Sequence, residues 1–388
     1  MAIPLSYNVR NVRQRWQVTV LAIGGIALVV AVFVILIALY SGFRIALASS
    51  GSLDNGLFVQ RGSSSEITSG IARDDAEFLS VDSRVARDDE GRPLASPEIA
   101  VAASLPRRGS TMEANVQLRG VSPMAFKVRR GIEVIEGRML SPGLQEVIVG
   151  TRVVERFDVA LGSTLHIKAR DWKVVGVFTA EGSSFESEVW GDVDVMASVF
   201  NRQGGYQSLT VRLVDTSVVA DWATEVLSNP RLQLELKQER QYYDDLTGVT
   251  GVLLLALAGF VAVVMGIGAV FGAMNTMYAV VAQRTREIAT LRALGFSRFA
   301  ILISFVLESM FIAVIGGALG CVLGFVAELF PSAATGNVTF SEIAFAFTVT
   351  PASLIGGMVF ALVMGFVGGL LPAVRAARMP LTVALREA

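Results

Sequence analysis

Few side chains in this 388-residue sequence could catalyse a reaction or hold a metal ion. It contains one cysteine, Cys321, and one histidine, His166, which excludes a disulfide framework and a multi-histidine zinc site within one chain. Acidic pairs such as Asp74 and Asp75 lack supporting histidines, so we interpret them as solvated turns and caps. No glycine-rich phosphate loop ends in Lys-Ser or Lys-Thr. The sequence therefore predicts no catalytic site and no cofactor or metal bound by this chain.

Two of the polar residues within the long apolar runs are candidates for function. Glu308 is placed about ten residues into the run 299–330, and Asn275 lies in the run 249–282. An ionisable group inside a membrane is a functional hypothesis by default. However, no Lys or Arg occurs within the apolar runs, and a proton relay would need more than one such group. We therefore interpret Glu308 as a protonated or hydrogen-bonded structural residue at a helix interface.

The segment between two of these runs, residues 283–297, predicts a short amphipathic helix at a membrane surface. Apolar residues at three-residue spacing share one helix face, arginines and one glutamate flank it, and a glycine can end the helix before the N-cap Ser297. One hypothesis is a basic helix resting on anionic lipid, and the other is a knob that docks in a groove of a cytoplasmic partner. Spacing alone does not choose between them. The residues concerned are Arg284, Glu287, Ile288, Leu291, Arg292, Leu294 and Gly295.

The elements that position these residues are four membrane-spanning helices. The chain is 53% apolar and 17% charged, and four apolar runs are each long enough to cross a bilayer. Glycines recur at four-residue spacing within three of the runs, which is typical of closely packed membrane helices. These predicted packing glycines are Gly268, Gly272, Gly316, Gly320, Gly324, Gly365 and Gly369.

The 200 or so residues between the first and second runs have the composition of a water-exposed domain. Residues 41–248 contain 23 basic and 29 acidic residues, and alternating strand patterns are interleaved with a few helical ones. The predicted strands include 115–121, 146–150 and 172–178, and residues 82–97 are predicted to form a loop. The fold class that follows is an α-helical integral membrane protein with four transmembrane helices and an α+β extracytoplasmic domain inserted between the first and second helices.

Arginine distribution predicts the orientation of the chain. Three short segments are rich in arginine and are therefore expected in the cytoplasm, whereas the loop 331–350 has no Lys or Arg. Both termini are then cytoplasmic, and the large domain is outside. The predicted boundaries are a cytoplasmic amphipathic segment 1–16, first span 17–42, external domain 43–247, second span 248–282, cytoplasmic coupling helix 283–297, third span 298–330, external loop 331–350, fourth span 351–375 and cytoplasmic tail 376–388.

Several motifs, in their order along the chain, resemble the FtsX/MacB-like permease family, the membrane subunits of mechanotransmitting ABC transporters. In the loop between the second and third spans and its flanks, the resemblance is carried by Asn275-Thr276-Met277 through Arg284, Glu287-Ile288, Arg292-Ala293-Leu294-Gly295 and Glu308. The ending Leu371-Pro372-Ala373 through Met379-Pro380 is similar to that family's C-terminus. The stretches Glu136-Gly137-Arg138 and Val174-Val175-Gly176 resemble its periplasmic domain. Between residues 60 and 130 the external domain matches the family only in patches.

The resemblance implies a mechanism and a set of partners. ATP and Mg²⁺ would be bound by a separate ABC ATPase subunit, and the 283–297 helix would couple that ATPase to the second and third spans. A second permease copy, in a homodimer, would complete the transporter in the bacterial inner membrane. The expected function is efflux of a hydrophobic small molecule or peptide, with a membrane fusion protein and an outer-membrane channel.

Two other functions stay open. One is a lipoprotein-releasing permease, and the other is a non-transport activator of a cell-wall hydrolase. The low overall charge argues against a nucleic-acid partner.

Overall fold

The computed structural model describes residues 16–329, 333–335 and 343–379. It divides into a membrane unit, residues 1–41, 253–331 and 347–388, and an extracytoplasmic unit, residues 42–252 and 332–346. The predicted segment 1–16 and the tail 376–388 lie largely outside the described residues. The helices, as far as the chain is described, are α1 (Trp16–Ala48), α2 (Arg73–Ser80), α3 (Ala125–Val128), α4 (Thr151–Arg156), α5 (Val193–Val199), α6 (Val218–Ser228), α7 (Glu239–Gln283), α8 (Thr285–Ala293), α9 (Arg298–Phe325) and α10 (Pro351–Arg378).

Within the described ranges, four of these helices, α1, α7, α9 and α10, are long and apolar enough to cross a membrane. This confirms the four predicted spans. The helix α7 begins at Glu239, well before the predicted start of the second span at residue 248, because its first turns belong to the extracytoplasmic unit. In the membrane unit, apolar side chains of α1 such as Val30 and Val34 pack with Ala313 of α9 and Ala361 of α10.

The extracytoplasmic unit is built on one large mixed sheet. The strands of this unit are β1 (Asn55–Gln60), β2 (Ile71–Ala72), β3 (Ala95–Pro106), β4 (Glu113–Val121), β5 (Glu133–Gly137), β6 (Glu146–Gly150), β7 (Thr164–Ile167), β8 (Arg170–Thr179), β9 (Glu188–Asp192), β10 (Gly205–Tyr206), β11 (Ser208–Arg212), β12 (Leu234–Gln238), β13 (Ala333–Thr335) and β14 (Ile343–Phe345). Strands β2 and β10 form a separate pair, as do β13 and β14. The sheet order is β12-β1-β11-β3-β4-β9-β6-β8-β5, with β7 paired to β8. Most neighbours are antiparallel, whereas β4 with β9 and β6 with β8 are parallel. The α+β fold is therefore confirmed.

The sheet surrounds an apolar core whose largest members are buried tryptophans. Trp172, Trp190 and Trp222 are almost fully buried, and the Trp222 ring meets Phe58 edge to face at 5.0 Å between centroids. The predicted strands 115–121, 146–150 and 172–178 lie in β4, β6 and β8. Alternation missed the central strand β3, since the predicted loop 82–97 ends inside it and its alanines and prolines are depleted in strands. It also missed β9, in which the acidic Glu188 and Asp192 are buried.

The short external loop between α9 and α10 joins this unit. The Ser187 hydroxyl accepts a hydrogen bond from the Ala344 backbone N–H at 2.9 Å, and the rings of Phe43 and Phe345 meet at 5.5 Å. Strand β14 therefore packs on the same domain that is inserted between α1 and α7. This agrees with the prediction that the domain and the loop 331–350 lie on one side of the membrane.

Candidate functional site

The candidate site is the turn of chain that connects α7 to α9 through the short helix α8. The helix ends in a Schellman motif, since the Phe296 N–H donates to the Leu291 carbonyl and the Gly295 N–H donates to the Arg292 carbonyl, both at 3.1 Å. Gly295 has φ +95°, a conformation that favours glycine. The Ser297 hydroxyl then accepts from the Ala300 N–H at 3.2 Å and caps α9. Both predicted caps are confirmed.

The start of α8 is held by an ion pair that joins the loop to the interior of α9. Nη1 of Arg284 lies 2.9 Å from Oε2 of Glu308, and the two side chains are 5% and 6% exposed. Nε of Arg284 donates to Glu287 at 3.0 Å, and the guanidinium lies 5.1 Å from the centroid of the Phe305 ring. A carboxylate within an apolar helix bundle is costly unless it is paired, and Arg284 provides the pair.

In the structure Glu308 is a buried, hydrogen-bonded residue between helices, as the sequence predicted. It also has a basic partner, Arg284, which the search within the apolar runs missed because Arg284 lies two residues beyond the end of the second run. The chain reverses at α8, and this reversal brings residue 284 back beside residue 308. A lone acid in one span and an arginine at the end of the preceding span were the signal that could have found the pair.

The end of α8 is attached to α10. Nη1 of Arg292 donates to the backbone carbonyl of Ala377 in α10 at 3.2 Å. Ile288 packs into a cluster with Phe305 of α9 and Ala373 of α10 and is 3% exposed. Contacts to both α9 and α10 therefore fix the position of α8, so a displacement of this helix must move them or break these contacts.

The predicted apolar face of α8 is divided by the structure. Ile288 faces the interior of the chain, Leu291 is half-buried, and Leu294 is 68% exposed. Phe299, at the start of α9, is 69% exposed. Ile288 and Arg284 therefore serve packing within the chain, and the surface available to a partner is the exposed pair Leu294 and Phe299, which we call the turn surface.

The predicted packing glycines also fall into two groups. A Cβ at Gly316, Gly320 or Gly324 would lie within 3 Å of atoms of α1, and a Cβ at Gly365 or Gly369 would lie that close to α9. Close contact of helix backbones explains these five positions. By contrast, a Cβ at Gly268 or Gly272 would meet nothing within 4 Å, and Asn275 on the same helix is exposed.

Among the described residues, no group of three or more His, Cys, Asp or Glu side chains could hold a metal ion. The site contains the buried Arg284–Glu308 ion pair, Arg292 hydrogen-bonded to a backbone carbonyl of α10, and the exposed turn surface of Leu294 and Phe299. This arrangement is suited to mechanical attachment, in which a partner pushes or pulls α8 and the contacts described above pass the movement to α9 and α10.

Two family models match this chain. The model of the MacB-like periplasmic core domain matches residues 19–228, and the model of the FtsX-like permease C-terminal region matches residues 259–381. The macrolide export ATP-binding/permease protein MacB of Pasteurella multocida is 27% identical over 76% of this chain and 46% of its own length. That of Bordetella avium is 28% identical over 79% of this chain and 49% of its own length.

A shorter relative shows a similar level of identity. An uncharacterized ABC transporter permease of Methanocaldococcus jannaschii is 25% identical over 64% of this chain and 64% of its own length. The chain thus spans about half the length of the MacB relatives that it matches.

Proposed function

Because this chain belongs to the family of FtsX-like permeases with a MacB-like periplasmic core domain, we propose that it couples cytoplasmic ATP hydrolysis to movement of its extracytoplasmic domain. It would do so as the permease subunit of an ABC transporter. The observation that carries the proposal is the attachment of α8 to α9 through Arg284 and Glu308 and to α10 through Arg292. A helix held in this way can transmit force only if a partner protein binds its exposed end.

The proposed partner is an ABC ATPase on a separate chain, which would bind ATP and Mg²⁺. Its groove would receive the turn surface, since Leu294 and Phe299 are the large apolar side chains that the turn exposes. Both termini would be cytoplasmic, and a second permease copy would pair with this one. The exposed face of α7 that carries Gly268 and Gly272 is available for that pairing, because these glycines pack against no described part of their own chain.

The finer function proposed is efflux of a hydrophobic small molecule or peptide, in the inner membrane of a bacterium, with a periplasmic adaptor and an outer-membrane channel. The names of the MacB relatives, which are macrolide exporters, support this choice. A lipoprotein-releasing permease and an activator of a cell-wall hydrolase use the same coupling and are the alternatives. Mass spectrometry of proteins that co-purify from the membrane distinguishes them by an adaptor, a lipoprotein or a hydrolase.

The coupling itself is tested by placing a charge on the turn surface. Leu294→Asp puts a carboxylate on an exposed position, so the free permease should fold, but docking would bury the charge unpaired at a cost of several kcal/mol. We expect co-purification of the ATPase and its stimulated activity to fall at least about tenfold, which corresponds to about 1.4 kcal/mol. Leu291→Asp, at the half-buried neighbour, should act in the same direction.

The matched control is Leu329→Asp, which changes another exposed leucine (82%) beyond the other end of α9. It should leave ATPase binding unchanged. If Leu294→Asp keeps the complex and its activity while Leu329→Asp behaves identically, the turn surface rests on lipid and the docking proposal is wrong.

A further inference from the structure

The extracytoplasmic unit contains a buried network of charged side chains that the sequence analysis did not single out. Its six members join the start of α7 to the centre of the large sheet. All are nearly inaccessible to solvent, with residue exposures between 0% and 5%. The buried ion network comprises Glu66, Glu98, Arg119, Arg129, Glu188 and Glu239.

One end of the network lies where the residues that follow α1 meet the start of α7. Glu239 is the first residue of α7, and its Oε2 accepts hydrogen bonds from Nδ2 of Asn55 at 2.8 Å and from the Ser52 backbone N–H at 3.1 Å. Beside it, a Cβ on Gly51 would lie 2.5 Å from the Cα of Arg240, so the two backbones are pressed together. The Glu239 carboxylate thus joins the segment that follows α1 to the first turn of α7 by hydrogen bonds.

From Glu239 the contacts continue into the sheet. Nε of Arg129 donates to the other carboxylate oxygen of Glu239 at 3.1 Å, and Nη1 of Arg129 contacts Glu98 in β3. Nη1 of Arg119 in β4 donates to the same Glu98 at 2.7 Å. The path therefore runs from the first turn of α7 to two adjacent central strands through charge-assisted hydrogen bonds, which are shorter and more directional than neutral ones.

Beyond Glu98, the network spreads to a third strand. The Arg119 guanidinium donates to both oxygens of Glu66, each at 3.0 Å, and to both oxygens of Glu188 in β9, at 2.7 and 2.9 Å. Burial raises the pKa of the Glu66 carboxyl, but the adjacent Arg119 outweighs it and holds that pKa below its ordinary value. Every carboxylate of the network accepts from an arginine, so displacement of an arginine leaves Glu66, Glu188 or Glu239 buried without that cation.

We propose that Glu239 and Arg129 are positioning residues that fix the start of α7 to the sheet and carry movement of α7 into strands β3 and β4. The inference rests on the proposed function, which supplies the movement. In the next turn of α7, Tyr243 and Leu246 are buried in this unit, and the Tyr242 hydroxyl accepts a hydrogen bond from the Glu66 backbone N–H at 2.8 Å. Tyr242 therefore gives α7 a second, uncharged contact with the network, whereas the Glu239–Arg129 pair is charged and cannot shift without breaking hydrogen bonds in a buried setting.

The test measures hydrogen exchange in the full-length permease bound to its ATPase, with and without ATP and orthovanadate. In the wild type, we expect nucleotide to change the exchange of peptides from α8 and from β3, residues 95–106. The variant Glu239→Gln keeps the size of the side chain and an acceptor for Asn55 but removes the negative charge from the Glu239–Arg129 pair, while Arg129 keeps its pair with Glu98. It should retain the nucleotide-dependent change in α8 and lose the change in β3.

The matched control is Lys237→Gln. It removes a solvent-accessible pair at the same junction of β12 and α7, in which Nζ of Lys237 lies 3.1 Å from Asp245. This variant should respond to nucleotide as the wild type does. If Glu239→Gln has already lost protection of β3 without nucleotide, Glu239→Asp is used, since it keeps the charge but shortens the reach, and the same loss of response is expected.

Each other outcome counts against the inference in a distinguishable way. A nucleotide-dependent change in β3 that survives in the Glu239 variants overturns it, as does a wild type in which α8 responds and β3 does not. A wild type in which α8 itself shows no response contradicts the proposed ATPase coupling, and the inference falls with it.

Discussion

Removal of one member of the Arg284–Glu308 pair should destabilise the membrane unit far more than removal of both. Arg284→Met keeps most of the side-chain length but leaves the Glu308 carboxylate buried without its guanidinium. Loss of one partner of a buried ion pair costs about 3–5 kcal/mol, whereas replacement of both partners by apolar residues is often nearly neutral. The 2.9 Å contact and the burial of both side chains place this pair within that range.

The expected values follow from those magnitudes. Arg284→Met should lower the free energy of unfolding by about 3 kcal/mol, and the double variant Arg284→Met/Glu308→Met should recover about 2 kcal/mol of this loss. The residual loss reflects the contacts of Arg284 with Glu287 and with the Phe305 ring, which the double variant does not restore. The coupling energy between the two positions is therefore the quantity to measure, because it isolates the pair from the other contacts.

The assay is unfolding of the purified permease in mixed detergent and SDS micelles, followed by far-ultraviolet circular dichroism. The control is Arg286→Met, which changes an exposed arginine of the same loop and should stay within about 0.5 kcal/mol of the wild type. Two results would refute the reasoning. One is an Arg284→Met variant as stable as Arg286→Met, and the other is a double variant destabilised by the sum of its single changes.

Two further predictions concern topology and helix packing. In a Cys321→Ser background, Ser110→Cys should react with an impermeant thiol reagent in intact cells, and Ser297→Cys should not. The reason is that the arginine-rich loop is expected in the cytoplasm, so labelling at residue 297 would contradict the predicted topology. Gly320→Leu should lower the free energy of unfolding by about 1–3 kcal/mol, because its Cβ would lie 2.6 Å from the Ala27 carbonyl oxygen of α1. Gly259→Leu, on α7 but outside the stripe of Gly268 and Gly272, has open space around its Cβ and should not; equal losses in the same SDS assay would contradict the packing of α9 on α1.

The ends of α8 could be predicted from the sequence because capping involves only residues that are neighbours along the chain. Gly295 and Ser297 act through backbone groups within a few residues of themselves, so their types and spacing were sufficient to predict the turn. The face that α8 exposes was not readable in this way. Ile288 and Leu294 share a periodicity, but only the packing of Ile288 against α9 and α10 separates the buried residue from the exposed one.

The glycine pattern shows the same limit. Four-residue spacing identified a small-residue stripe on each of three helices, and it could not say which stripe has a partner within the chain. The structure places α1 against Gly320 and leaves Gly272 without a neighbour in the described residues. The difference depends on where α1 lies, which is a property of the whole bundle.

Three features could be predicted without the structure: the number of spans, the inserted α+β domain and the short helix between the second and third spans. They depend on the length of apolar runs, on strand alternation and on caps, which are all patterns among residues close together in the sequence. Only the tertiary structure decided the partners of the buried charges. Glu308 meets Arg284 across 24 positions, and Glu239 meets Arg129 across 110. A buried carboxylate must find a cation in three dimensions, and its nearest cation in space has no fixed spacing along the chain.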